Sequence, residues 1–132
     1  MTIKWPFRND WTEWTVDHRN AYYHIRMRSS RNPVQWEITG DNYRVSIRQK
    51  WLNDPSQWVL SYSNKHLMWR TEYPSDLEYW FFELSENNFF EMWTEIQGDL
   101  RDWAINDKAA TVPDEVKIAA IFITVYLTSP KQ

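Results

Sequence analysis

From Ala21 onward, apolar and polar positions alternate. Ala21, Tyr23, Ile25 and Met27 are interleaved with Tyr22, His24, Arg26 and Arg28, the period-2 mark of a half-buried strand. Val34, Trp36 and Ile38 then alternate with Gln35, Glu37 and Thr39, and Gly40-Asp41-Asn42 supplies a turn. Tyr43, Val45, Ile47 and Trp51 follow on one side, with Arg44, Ser46, Arg48 and Lys50 on the other. Beyond Asn53-Asp54-Pro55, Trp58, Leu60 and Tyr62 share a face. Ser63-Asn64-Lys65 turns the chain, and Leu67 and Trp69 continue the apolar side. The pattern predicts five strands in an up-and-down meander over residues 21–72.

The rhythm changes after Pro74. Ser75 with Glu78 three positions later has the form of a capping box, and Leu77, Trp80, Phe81 and Leu84 fall on a helical stripe. A second stripe, Phe89, Trp93, Ile96, Leu100 and Trp103, steps by four and three, with a break expected near Asn87-Asn88. Gly98 inside it costs about 1 kcal/mol of helix propensity relative to alanine. A last helix is predicted from Pro113, with Asp114 and Glu115 favourable to its dipole, to about Leu127. Its apolar run over residues 118–127 is about half a membrane span, so it reads as a buried helix.

Strands first and helices second predict an α+β domain, a five-stranded antiparallel sheet backed by two or three C-terminal helices over residues 75–128. Residues 1–20 form an aromatic arm, with Trp5, Phe7, Trp11 and Trp14, whose conformation the pattern leaves open between strand and helical turn. The whole chain of 132 residues fits a single domain.

Composition adds two departures from the ordinary. The chain has 10 tryptophans and only 2 glycines, against about 7% glycine in average usage. Each buried aromatic removes about 150–250 Å² from water, several kcal/mol at about 25 cal/mol per Å². The tryptophan excess therefore reads chiefly as core, with Tyr23, Trp36, Tyr43, Trp51, Trp58, Tyr62 and Trp69 from the sheet meeting Trp80, Phe81, Phe89, Trp93 and Trp103 from the helices. Glycine scarcity excludes most phosphate-cradling loops. With no cysteine, disulfides, thiolate metal sites and cysteine nucleophiles are excluded, and the lack of an apolar segment near Met1 adds to the expectation of a cytoplasmic protein.

His18, His24 and His66 have no close metal-ligand spacing, and Asp17-His18 is only a sequence neighbourhood. Pro113-Asp114-Glu115-Val116-Lys117 superficially matches a nuclease signature, but its acids are contiguous at a helix start and cannot converge from separate strands. No nucleophile elbow, Walker loop or dinucleotide fingerprint occurs. The expectation is a protein without catalytic residues, metal or cofactor.

Charge is where the chain is unusual. Residues 1–70 hold 11 Lys+Arg against 6 Asp+Glu, a net of +5; residues 71–132 hold 4 against 12, a net of −8; together they give the formal −3. The alternation collects Arg26, Arg28, Arg44, Arg48, Lys50 and Arg70 on the polar face of the sheet, opposed by Glu37 and Glu72. Glu91, Glu95, Asp99 and Asp102 form an acidic stripe at helical spacing, with Glu83 and Glu86 upstream and Arg101 the nearby cation. With helices covering the apolar side, the two charged faces are expected to point apart. These features point to a small non-catalytic protein that sequesters or inhibits a macromolecular partner, as an inhibitor or immunity-type protein does. A protein partner is expected, with no membrane association and with head-to-tail association of two copies as a further option. The alternative is single-stranded nucleic-acid binding by the basic face.

Overall fold

The fold comes from a computed structural model that describes residues 2–4, 13–19, 21–29, 32–40, 42–85, 87–100 and 102–128. Ten strands follow one another: β1 (Thr2–Lys4), β2 (Glu13–His18), β3 (Ala21–Ser29), β4 (Asn32–Thr39), β5 (Arg44–Trp51), β6 (Asp54–Tyr62), β7 (Lys65–Thr71), β8 (Tyr79–Phe82), β9 (Phe89–Thr94) and β10 (Trp103–Lys108). Each pairs antiparallel with the next, so the order in the sheet is the order in the chain. Among the described residues one helix, α1 (Asp114–Thr128), follows the strands.

This corrects the expected α+β arrangement: among the described residues there are ten strands rather than five, and one helix rather than two or three. Residues 79–108 form three further strands. Asp76 Oδ1 accepts the Glu78 N–H at 2.9 Å, a local turn that leads into β8 rather than into a helix. Glu78 does not reach back to close a capping box; its Oε1 accepts from Thr94 Oγ1 at 2.8 Å and from the Gly98 N–H at 2.6 Å. Those two bonds hold the Glu78 carboxyl below its ordinary pKa. The buried positions are Trp80 and Phe82 in β8 and Phe90 and Met92 in β9, a period of two. Aromatic residues suit such a pleated surface. In the supposed helical seam, Phe89 is 50% and Ile96 62% exposed.

The sheet wraps α1. A flat ten-stranded sheet would be about 43 Å wide at about 4.8 Å per strand, whereas a helix is about 10–12 Å thick. Yet strands far apart in the sheet touch this one helix. Phe122 meets Trp14 of β2 at 5.6 Å and Trp36 of β4 at 5.1 Å between ring centroids. Trp69 of β7 donates its indole N–H to Thr124 Oγ1 at 2.9 Å. Lys117 pairs with Asp107 of β10 at 2.9 Å and lies 5.9 Å over the Phe90 ring of β9. The sheet therefore curls round the helix, and α1 is buried on all sides: nine of its fifteen residues are buried, from Val116 to Tyr126. A helix that is apolar all round belongs in such a place. Among the described residues, no helix is long and apolar enough to cross a membrane.

The tryptophan excess is partly core. Trp36, Trp58, Trp69 and Trp80 are fully buried, and Trp69 packs against Trp80, Phe82 and Phe90 with centroids 6.1, 4.7 and 5.7 Å away. Trp51 is a correction, 54% exposed. The ladder between β5 and β6 shifts register between Gln49 and Trp51, and a bulge re-aims the side chains beyond it. In the aromatic arm, Trp14 is a core residue on β2; Trp5, Phe7 and Trp11 lie outside the described residues, as do Glu86 and Arg101.

With so few glycines, asparagine makes several of the tight turns. Asn53, Asn64 and Asn87 have φ of 67°, 63° and 71°, a left-handed conformation that asparagine tolerates better than most residues. Gly98, at φ 88°, sits in the β9–β10 connection rather than inside a helix. At Gly40 a Cβ would fall 2.3 Å from the Tyr43 ring, so any larger residue there must displace that ring.

Candidate binding surface

Because the inner face of the sheet is filled by α1, the polar side chains that alternate with the core residues of β3, β4 and β5 project from the outer surface of the curl. Antiparallel register places residues in rows across that surface. One row runs Arg26, Glu37, Ser46, Ser61 and His66 across β3 to β7. The neighbouring row on β4 and β5 pairs Gln35 with Arg48, and the row on the other side pairs Thr39 with Arg44.

Glu37 is the centre of this array. Its side chain is only 9% exposed, and it lies 3.5 Å from both the Arg28 and the Arg44 guanidinium, which are 56% and 71% exposed. Arg26 is its direct cross-strand neighbour. Among the described residues, Arg26 and Arg48 have no ion-pair partner. A shallow groove of about 250 Å³ separates Arg28 from Arg48, with Ser46, Ser61 and Gln35 on its walls. Guanidinium forks and hydroxyls so placed suit carboxylate or phosphate oxygens. His66 Nδ1 lies 2.7 Å from Ser61 Oγ at one edge. Ser46, Ser61 and Gln35 were not legible as site residues, since short polar side chains on an outward face carry no distinguishing signal.

The other two expected cations stand apart. Lys50 lies at the β5 bulge, 5.3 Å over the Trp51 ring. Arg70 is on β7, ion-paired through Nε to Glu83 Oε1, with its guanidinium 4.9 Å over Phe81.

The acidic stripe is not a stripe. Glu91 is on β9, whereas Glu95, Asp99 and Asp102 belong to the connection between β9 and β10, where the Glu95 N–H donates to the Asp102 carbonyl at 3.0 Å. The steps of four and three matched a helix only by coincidence. The ground for expecting the acidic and basic faces to point apart disappears with it, because both sets of strands present charge on the outside of one curled sheet. Glu91 accepts a hydrogen bond from Tyr79 Oη and another from Asn106 Nδ2 at 3.2 Å. Burial first, then the Glu91 carboxylate, push the Tyr79 hydroxyl up to about 12, so it remains a proton donor to Glu91 through the neutral range.

Among the described residues, no three His, Asp or Glu side chains gather as metal ligands. His18 lines a cavity of about 210 Å³ where β10 and the end of β2 approach over α1, beside Ile105, Asp107, Lys117 and Ile121. No protein-family model, curated protein or solved structure matches the chain.

Glu37→Gln is expected to leave the arginines without their shared counter-charge. Stability at low ionic strength should fall by about 1 kcal/mol or less, given the exposed guanidiniums, and the loss should shrink as salt rises. Urea unfolding at two salt concentrations measures both; an unchanged midpoint at low salt would mean that the carboxylate does not organise the array.

Proposed function

We propose that this protein is a small non-catalytic binding protein that captures and blocks a macromolecular partner through the arginine face of β3, β4 and β5. The observation that carries the reading is the local excess of charge: Arg26, Arg28, Arg44 and Arg48 face outward around the buried carboxylate of Glu37. That geometry suits an acidic protein surface. The inner face of the sheet is consumed by the core, so recognition falls to the outer side chains. Fields of this kind chiefly speed association, and the contacts made at the groove set the rate of escape. A cytoplasmic setting belongs to the same reading, in line with the absence of cysteine.

The decisive experiment is capture from an extract of the native host, with and without nuclease, comparing the natural protein with an Arg44→Glu, Arg48→Glu double variant. Arg48 is exposed and has no ion-pair partner among the described residues, so the single Arg48→Glu variant reports even if reversal of Arg44, beside Glu37, lowers stability. Charge reversal is expected to abolish capture of a nuclease-insensitive protein partner; undiminished capture would overturn the reading. Parallel reversal at Glu95 and Asp99 should have little effect, since those residues lie in another part of the surface. Association between copies would appear as a dimer that dissociates with salt.

One observation favours a second reading. Tyr22 is 76% and Trp51 54% exposed on strands that carry the cations, and aromatic rings beside arginines are what single-stranded nucleic acids stack upon. On this alternative, a labelled oligonucleotide should shift at low salt, with log affinity falling by about 0.7 per phosphate neutralised for each unit of log salt. No shift at low salt would remove it.

A further inference from the structure

A second recognition feature lies away from the arginine face. The β8–β9 hairpin carries a cavity of about 480 Å³ on its outer side, walled by Tyr79, Phe81 and Phe89, with the carboxylates of Glu83 and Glu91 among its lining residues. Register explains the grouping: Phe81 is directly opposite Glu91, and Tyr79 is opposite Trp93, so these side chains share the outer face. Tyr79 and Phe81 pack with centroids 5.9 Å apart at an interplanar angle of 52°. Phe89 is half exposed, an arrangement that nothing in the core requires.

The charges in this cavity are not balanced. Arg70, the cross-strand partner of Phe81, pairs with Glu83 and lies 4.9 Å over the Phe81 ring, so the Glu83 carboxylate is already balanced. Glu91 is held in position by hydrogen bonds from Tyr79 and Asn106, both from neutral donors. Among the described residues, it has no cationic partner. Aromatic walls with one surplus, oriented carboxylate are complementary to a cation that is bulky and weakly hydrated. Ring faces attract such ions by their quadrupole, and more strongly once the ion is desolvated. A compact, strongly hydrated ion such as ammonium would lose more water than this open cavity repays.

We infer that this cavity is a binding site for a small organic cation of the alkylated-ammonium class, with Tyr79, Phe81 and Phe89 as the ring walls and Glu91 as the counter-charge. The inference is independent of the partner proposed for the arginine face, since it uses none of the same residues.

Choline is the probe, with dimethylbutanol as its uncharged isostere and ammonium as the small-ion control. Indole and backbone NMR shifts of the intact protein are followed in titration. Choline is expected to shift signals of β8 and β9 with a Kd on the order of 1 mM, a range in which a single ion site of this kind should lie. It should bind at least tenfold more tightly than dimethylbutanol, and ammonium should not compete. Glu91→Gln and, separately, Phe89→Leu should each weaken choline binding severalfold or more. Phe89 is exposed, so its variant reports even if the Glu91 variant is destabilised. Equal binding of the uncharged isostere, an unchanged affinity in the Phe89 variant, or no shift at choline concentrations up to about 50 mM would each overturn the inference.

Discussion

Phe122→Ala is expected to lower the unfolding free energy by about 3–5 kcal/mol, the cost of removing a large aromatic from a packed core. Phe122 is 1% exposed and sits at the point where the curl of the sheet converges on the helix. Its ring meets Trp14, Trp36 and Tyr126 with centroids 5.6, 5.1 and 6.0 Å away. Those partners come from β2, β4 and the next turn of α1, so no single strand can shift to fill the hole. A domain of ordinary stability has about 5–15 kcal/mol in total, so the variant should lose a large share of it. Urea denaturation followed by tryptophan fluorescence reads the loss. Val125→Ala, at a half-buried position on the same helix, should lose much less. Equal losses for the two would mean that Phe122 is not the keystone of the packing.

The second large effect is chemical rather than volumetric. Thr124 is fully buried; its hydroxyl accepts the Trp69 indole N–H at 2.9 Å and donates to the Ala120 carbonyl at 3.0 Å. Thr124→Val keeps the shape and removes the acceptor, leaving a buried indole N–H without a partner. That should cost about 1–3 kcal/mol. Thr124→Ser keeps the hydroxyl and loses a methyl group, so it should retain the bond. The Trp69 indole proton is the direct reporter: its NMR resonance should move in the valine variant and stay near its original position in the serine variant. A valine variant as stable as the natural protein would mean that the bond contributes nothing net.

Most of β3 to β7 was legible in the sequence because each of those strands has one apolar and one polar face, so Ile25, Trp36, Ile47, Trp58 and Trp69 mark the inside unambiguously. The helix was legible for another reason: Pro113, Asp114 and Glu115 mark its start, and the apolar run after them is too continuous for a surface element. The strands β8 and β9 were not, because Tyr79 to Phe82 and Phe89 with Phe90 put aromatics on both faces and erase the alternation. Any stripe drawn through so many aromatics at steps of three and four finds a match. The same density concealed the outer aromatic cavity, since Phe81 and Phe89 read as core. Alternation did place Arg26, Arg28, Arg44 and Arg48 on one outward face. It could not show that Glu37 is sunk among them, because depth within a face depends on the curvature of the sheet. Trp51 was lost to a single bulge.

The position of α1 after all ten strands also bears on how the polypeptide is made. A ribosome releases every strand before it releases the segment that fills the space between them. Neighbouring hairpins have local contacts and can pair early, but Trp36, Trp58 and Trp69 then face a void until Phe122 and Thr124 emerge. For that interval the nascent chain exposes its greasiest surface, the state in which chains associate wrongly. The core is thus filled only once α1 has emerged, and a product stalled or truncated before it should be a substrate for chaperones rather than a smaller working protein.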